Sequence, residues 1–242
     1  MITRRPFIDR TLWPVFAVLA GLFLLFEFTQ VDLWVQDRLY DFSAHAWMVN
    51  EKDLWPRIFF YTGPKVLIIA LAAGLMTLAL GPERWRVRGS FTLRRCDIWV
   101  VIATLATGPA LIATSKATTN VFCPREIRRY DGFAPYVRVL ESYPEGDRPS
   151  RRGRGFPAGH ASGGFALLSL AGLARSRRGQ LIGASIGFAV GGAMGGYQML
   201  KGAHYLSHTV ITALVCWLLF LIWRRLLKAT TGNEQKLIPA SS

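Results

Sequence analysis

Charge is scarce in this 242-residue chain, with 18% of residues charged against 51% hydrophobic and a mean hydropathy of +0.27. That balance excludes an ordinary soluble domain of this size and points to an integral membrane protein. Acidic residues are scarcer still, 15 against 29 Lys and Arg, leaving a formal charge of +14. A soluble protein would direct such a charge at nucleic acid, whereas a membrane protein places it on cytoplasmic loops, so no nucleic-acid partner is expected. The three cysteines, Cys96, Cys123 and Cys216, are too few and too scattered for a disulfide framework or a four-ligand metal cluster. Small residues are also missing from the cleavage position after the first apolar run, which follows Arg4, Arg5 and Arg10 and ends in Glu27-Phe28-Thr29-Gln30. It reads as a retained anchor rather than a signal peptide.

What is present is a set of six runs free of Asp, Glu, Lys and Arg, at 11–26, 66–82, 98–115, 155–174, 179–200 and 202–223. Each approaches the roughly 20 residues a helix needs to cross a bilayer. The pattern predicts an all-α fold, a six-transmembrane-helix bundle forming a single domain over 1–242 with a flexible tail from 229. Short basic segments set the direction: Arg4, Arg5 and Arg10; Arg84, Arg86, Arg88, Arg94 and Arg95; Arg175, Arg177 and Arg178; Arg224, Arg225 and Lys228. These face the cytoplasm, and both termini with them.

The opposite side receives residues 27–65, residues 115–156 and the turn at Lys201 and Gly202. The middle segment, a long extracytoplasmic loop between helices three and four, holds nine basic residues against five acidic ones. Long loops cross despite their charge, so the orientation stands. Within 27–65, Val35, Leu39 and Phe42 recur at helical spacing beside Asp37, Arg38 and Asp41. An interfacial helix lying on the bilayer and a loop packed over the bundle both fit.

Lys116 ends the third run, His160 lies early in the fourth, and His204 and His208 lie early in the sixth. Three separate stretches, Lys116 to Pro124, Phe156 to His160 and Lys201 to His208, therefore meet at one membrane depth. Ionisable groups are costly there unless they pair or line a wet cavity, which marks them as site candidates. Phe156-Pro157-Ala158-Gly159-His160 opens a helix with proline in its first turn, so its free N–H groups attract an anion. His204 and His208 share a helix face if the helix already runs there. As a metal pair they would need further ligands, and no carboxylate or cysteine lies in the same turn, so no metal is expected. Phosphoryl chemistry fits better, since it asks for a neutral imidazole, a second proton donor and surrounding cations.

These stretches resemble the signature of the type 2 phosphatidic acid phosphatase family, which shares its core with vanadium haloperoxidases. The family pattern is Lys-x6-Arg-Pro, then Pro-Ser-Gly-His, then Ser-Arg-x5-His-x3-Asp. This chain reads KATTNVFCP, PAGH and YQMLKGAHYLSH, within a region of about 95 to 215. The resemblance implies that Lys116 binds phosphate, Gly159 donates its N–H, His160 is the general acid and His204 the nucleophile that becomes phosphohistidine. Pro124 and Pro157 match the family prolines. Cys123 stands where the first arginine is expected, Ala158 for the serine, Gln198 for the second arginine and His208 for the aspartate that orients the nucleophile.

Cysteine and glutamine lack the guanidinium fork and its permanent charge, so other cations must grip the phosphate. Arg125 and Lys201 are the first expected replacements, with Arg152 and Arg154 behind them. His208 can fix the tautomer of His204 but, being neutral, cannot balance an imidazolium. Asp131, Glu141 or Asp147 would have to reach over for that. Cys123 reads as a packed or phosphate-adjacent thiol in preference to a nucleophile.

The resemblance implies a lipid phosphatase of the bacterial inner membrane, its site facing the periplasm. It would act without metal or cofactor on a lipid phosphomonoester or pyrophosphate such as lipid A, an isoprenyl pyrophosphate or a glycerophospholipid phosphate. The bilayer and its lipid phosphates are thus the expected partners, and no oligomeric state is expected over another. A phosphotransferase using the same intermediate, and an inactive protein that binds anionic lipid, are the alternatives.

Overall fold

A chain surrounded by hydrocarbon must satisfy its own backbone donors and acceptors, so long apolar runs fold as helices. The computed structural model describes residues 12–88 and 91–237, and these are mostly helical. In order come α1 (Leu12–Phe28), α2 (Val31–Gln36), α3 (Leu54–Arg57), α4 (Gly63–Leu80), α5 (Arg95–Thr118), α6 (Gly159–Ala166), α7 (Arg177–Leu200) and α8 (Leu206–Leu237). A π-helical turn, Ile58–Thr62, joins α3 to α4, and a 3-10 segment, Leu167–Leu173, prolongs α6. Arg4, Arg5 and Arg10 lie outside the described residues, as do positions 238–242 of the expected tail.

Among the described residues, three helices are long and apolar enough to cross a membrane: Leu54–Leu80, Arg95–Thr118 and Leu206–Ala229. The helix Leu12–Phe28 is apolar but shorter. Large apolar side chains such as Trp13, Phe16, Leu67, Ile69, Leu181, Ile182 and Phe188 stay exposed on the outside of the bundle. So wide an apolar surface suits lipid and would be a liability in water.

In the outer segment 27–65 one expectation needs correcting, and one pair of alternatives resolves in favour of the packed loop. The second long helix starts at Leu54, well before the charge-free run at 66. Arg57 and Lys65 are tolerated within it because both line cavities beside His160. Nor does a helix carry Val35, Leu39 and Phe42 together, because α2 stops at Gln36. The chain instead turns into a hairpin of β1 (Tyr40–Asp41) and β2 (Ala46–Trp47). The Asp41 carboxylate shapes the turn of that hairpin by accepting the N–H groups of Ser43 and Ala44 at 2.8 and 3.0 Å. Tyr40 and Trp47 then pack on Tyr130, in a cluster with Phe122, Ile127 and Tyr205.

Residues 119–158 connect α5 to α6 with two 3-10 turns, Pro124–Glu126 and Arg128–Tyr130. Ion pairs hold this connection down: Arg128 to Asp147, Arg129 to Asp37 at 2.7 Å, Arg138 to Glu141 at 2.5 Å and Arg151 to Glu126 at 2.8 Å.

The bundle closes around α6. Gly183, Gly187, Gly191 and Gly195 recur every fourth residue along α7, and a Cβ on each would overlap the 3-10 segment, Phe165 or Thr209. Such a seam of small residues lets backbones approach where a hydrophobic driving force is absent. α6 thereby sits among α5, α7 and α8, with Ala161, Phe165, Leu168, Ala213 and Cys216 packed beneath the polar end described next.

Candidate active site

Lys116 rides on the last turn of α5. The backbone beyond it is stitched to the approach to α6, since Gly155 N–H donates to the Val121 carbonyl at 2.7 Å and Thr119 Oγ1 to the Phe156 carbonyl at 2.6 Å. The start of α6 is tied in turn to α8, because Ala158 N–H donates to Thr212 Oγ1 at 3.0 Å and to the His208 carbonyl at 3.2 Å. Three stretches far apart in sequence thus share one end of the bundle.

α6 begins at Gly159 with Ala158 as its N-cap. Pro157 therefore precedes the helix instead of occupying its first turn, and its peptide bond with Phe156 is cis. Gly159 lies flush against Lys116: a Cβ there would stand 3.1 Å from Lys116 Cε and 3.4 Å from Nζ. The Lys116 ammonium thus lies beside the positive end of α6, a combination of charge and backbone donors that is able to attract an anion.

The histidines are arranged differently from the helix-face expectation. α8 starts only at Leu206, and Gly202, with φ +68°, turns the chain before it. His204 therefore belongs to the turn and His208 to the helix. A left-handed backbone favours glycine, and any Cβ at 202 would also overlap the Trp47 ring. The turn brings His204 Nδ1 to 3.3 Å from His208 Nδ1, and both rings are 2% exposed. One proton serves that contact and either ring can donate it; with His204 as donor, Nε2 of His204 is the nitrogen with a free lone pair. His160 is exposed, with its ring centroid 5.9 Å from that of His204 and 5.0 Å from that of Tyr61.

Lys116, Lys201, Lys65 and Arg125 all act electrostatically on His160. Lys201 shares a polar cavity of about 360 Å³ with Glu51, Lys52, Arg57, Tyr61 and His160. Arg125 sits at the rim, ion-paired with Glu51, and its N–H donates to the Gly202 carbonyl at 2.9 Å. Arg152 donates to the Thr118 carbonyl at 2.8 Å, while Arg154 is exposed. Lys65 escapes a search for charge-free runs, because such a search ends the helix at the very residue that matters. It lines a second, apolar cavity of about 260 Å³ with Tyr61, Ile68, Leu105, His160 and Met194.

Cys123 behaves as a packed thiol: burial, with Glu126 beside it, pushes it up to about 12. Gln198 is buried, and its Oε1 has no hydrogen-bond partner. None of the three expected carboxylates reaches the histidine pair, for Asp131 bonds Tyr40 and His45, Glu141 bonds Arg138 and Asp147 bonds Arg128. A carboxylate does approach from elsewhere. Asp32 of α2 accepts Ser207 N–H at 2.8 Å and Ser207 Oγ–H at 2.5 Å, next to His208. Among the described residues, no three His, Cys, Asp or Glu side chains gather as a metal ion would need.

The family model of the PAP2 superfamily matches residues 97–231, which include Lys116, the start of α6 and the His204 turn. No curated protein and no solved structure matches the chain. With more than half its length matched, this chain belongs to the PAP2 superfamily, whose members are phosphatases.

Proposed function

We propose that the chain is an integral membrane lipid phosphatase working through a phosphohistidine. The observation that carries this is the junction of two cavities. The apolar one, walled by Ile68, Leu105 and Met194, and the cationic one, holding Lys201, Arg57 and Lys52, share Tyr61 and His160. An amphipathic substrate fits such a pair, with its hydrocarbon in the first, its head group in the second and its phosphate at the junction.

His204 Nε2 attacks phosphorus there. As the N–P bond forms and the P–O bond breaks, His160 gives a proton to the leaving oxygen. Lys116, the N–H groups at the start of α6, Lys201 and Lys65 stabilise the anionic transition state that the family arginines would otherwise hold. Water then attacks phosphorus and regenerates His204. The ammonium groups supply the charge, so neither metal nor cofactor enters the scheme. The head group carries a phosphomonoester or pyrophosphate, as in lipid A, isoprenyl pyrophosphates and glycerophospholipid phosphates.

All six helical runs cross the membrane in this reading, and the chain is one domain with both termini in the cytoplasm. The support is positional: Arg84, Arg86, Arg94, Arg95 and Arg175 lie at the helix ends away from Lys116, Gly159 and His204, and Arg224 lies in the half of α8 remote from His204. The site then faces the periplasm from the inner membrane. The deciding experiment is phosphate release by purified protein in detergent micelles across those three lipid classes, with and without chelator. Release that His204→Ala abolishes and chelation spares supports the reading. Undiminished release by His204→Ala removes it.

A further inference from the structure

His204 lacks the neighbouring carboxylate that would balance the positive charge its ring acquires on phosphorylation, and its neighbour is a second neutral imidazole. Behind that neighbour lies a cavity of about 20 Å³, room for one water, whose lining includes Glu27, Asp32, Tyr136, Arg138, Ser207 and His208. Asp32 is 6% exposed and is tied to the residue before His208 by both Ser207 hydrogen bonds. A neutral Ser or Asn would cap α8 as well as an aspartate does, so helix capping alone does not account for a buried charge.

We propose that Asp32 is a positioning residue for His204, supplying across this cavity, and through His208, the negative charge that balances the phosphorylated histidine pair. The inference rests on His204 being the nucleophile. When Nε2 of His204 bonds to phosphorus, the proton on its Nδ1 passes to Nδ1 of His208, which already holds its own Nε2 proton. His208 becomes the imidazolium, and Asp32 stays ionised and takes no proton. Hydrolysis of the N–P bond returns the shared proton to His204.

The surroundings keep Asp32 in the needed state at neutral pH. Burial raises its carboxyl to about 6, while the Ser207 hydrogen bonds and Arg138 pull it down. The other groups facing it are Glu27 from α1, Tyr136 from the connection before α6, Tyr205 from the turn before α8, and His208 from α8. Glu27 is itself engaged, accepting Leu140 N–H at 2.9 Å. Asp32 is thus charged above about pH 6 and neutral below it.

Orthovanadate tests this without a lipid, because it takes a fifth ligand from an imidazole nitrogen and so creates the same charge, whereas inorganic phosphate binds without that bond. Calorimetric titration of the full chain in detergent compares the two anions. Asp32→Asn, which keeps an acceptor for Ser207 N–H, is expected to weaken vanadate by about tenfold or more and to leave phosphate binding unchanged. In a His208→Asp background, where a carboxylate adjoins His204 directly, Asp32→Asn is expected to have no further effect.

Ser207→Ala provides a second route if Asp32→Asn does not fold. It removes a hydrogen bond that favours the charged carboxylate, so vanadate affinity should fall away at a higher pH than in the unaltered chain. Equal losses of vanadate and phosphate, or an unshifted pH dependence in Ser207→Ala, would reduce Asp32 to a helix cap and overturn the proposal. Tight vanadate binding by His204→Ala, or none by the unaltered chain, would overturn the nucleophile assignment itself. Loss in His204→Ala with retention in Asp32→Asn would sink the Asp32 inference alone.

Discussion

Cys123 and Gln198 stand where the family pattern has arginines, and the cations gathered around His160 are mostly lysines, which hold phosphate differently. An ammonium is a compact charge with rotatable donors and offers no planar fork, so several must converge to do what two guanidinium groups do. Lys116, Lys201 and Lys65 converge on His160 from α5, the turn before α8 and α4. Lys201→Ala and Lys65→Ala are each expected to lower kcat/KM by about 2–4 kcal/mol of transition-state stabilisation if the ammonium meets the transferring phosphoryl group. Steady-state kinetics on a hydrolysed lipid measures this, and an unchanged kcat/KM removes the residue from the phosphate site. The opposite outcome is expected at Cys123. A thiol raised to about 12 by burial is protonated throughout the neutral range, because a raised pKa moves ionisation to higher pH. Cys123→Ser should therefore keep its turnover, and the native thiol should react slowly with iodoacetamide at neutral pH, whereas rapid alkylation would contradict the packed-thiol assignment. That Lys116, Gly159, His160 and His204 come together at one end of the bundle was legible, because their types and spacing survive in the chain. Asp32 was not, since it lies 175 residues from Ser207 and only the folded chain brings them together.

At the scale of elements, charge-free runs located the helices well and their starts poorly. A run ends at any charge, but a helix does not when the charged side chain reaches a cavity, and so Arg57, lining the polar cavity, and Lys65, lining the apolar one beside His160, sit inside the helix Leu54–Leu80. Apolar spacing at Val35, Leu39 and Phe42 left a helix and a packed loop both open, and the chain takes the loop. Asp41 captures its own following backbone, and Trp47 closes the hairpin on Tyr130, so local turn chemistry and tertiary packing prevailed over periodicity. The glycine seam of α7 was also invisible to hydropathy, which counts glycine as weakly apolar wherever it points. Its test is a matched pair of substitutions. A Cβ at Gly187 would press on the Leu168 backbone, with Leu168 Cα at 2.7 Å, whereas a Cβ at Gly192 meets nothing within 4 Å. Gly187→Ala is expected to destabilise the bundle by about 1–3 kcal/mol or more through overpacking, and Gly192→Ala to leave stability unchanged. Thermal unfolding in detergent reads both, and equal stability of the two variants would mean that α7 does not approach the 3-10 segment so closely.

The whole molecule sorts its charge along the bundle. The α4–α5 and α6–α7 connections and the far end of α8 are basic and short, while the long α5–α6 connection is also basic but ties its arginines to Asp37, Glu126, Glu141 and Asp147. Short loops set orientation and long ones cross regardless of charge, and on that rule the proposed topology puts the first group on the cytoplasmic face and the site on the other. Under the proposed orientation the cations around His160 would lie at the headgroup level of the outer leaflet, where an anionic lipid would present its phosphate without leaving the bilayer. Single cysteines in a background lacking Cys96, Cys123 and Cys216 test this arrangement. Glu145, exposed in the α5–α6 connection, and Glu83, exposed between α4 and α5, occupy opposite ends of α5. In intact spheroplasts, a membrane-impermeant maleimide is expected to label Glu145→Cys and to spare Glu83→Cys until the membrane is opened. Labelling of both from outside would mean that α5 does not cross, and the reverse pattern would turn the site toward the cytoplasm and exclude periplasmic lipid phosphates as its substrates.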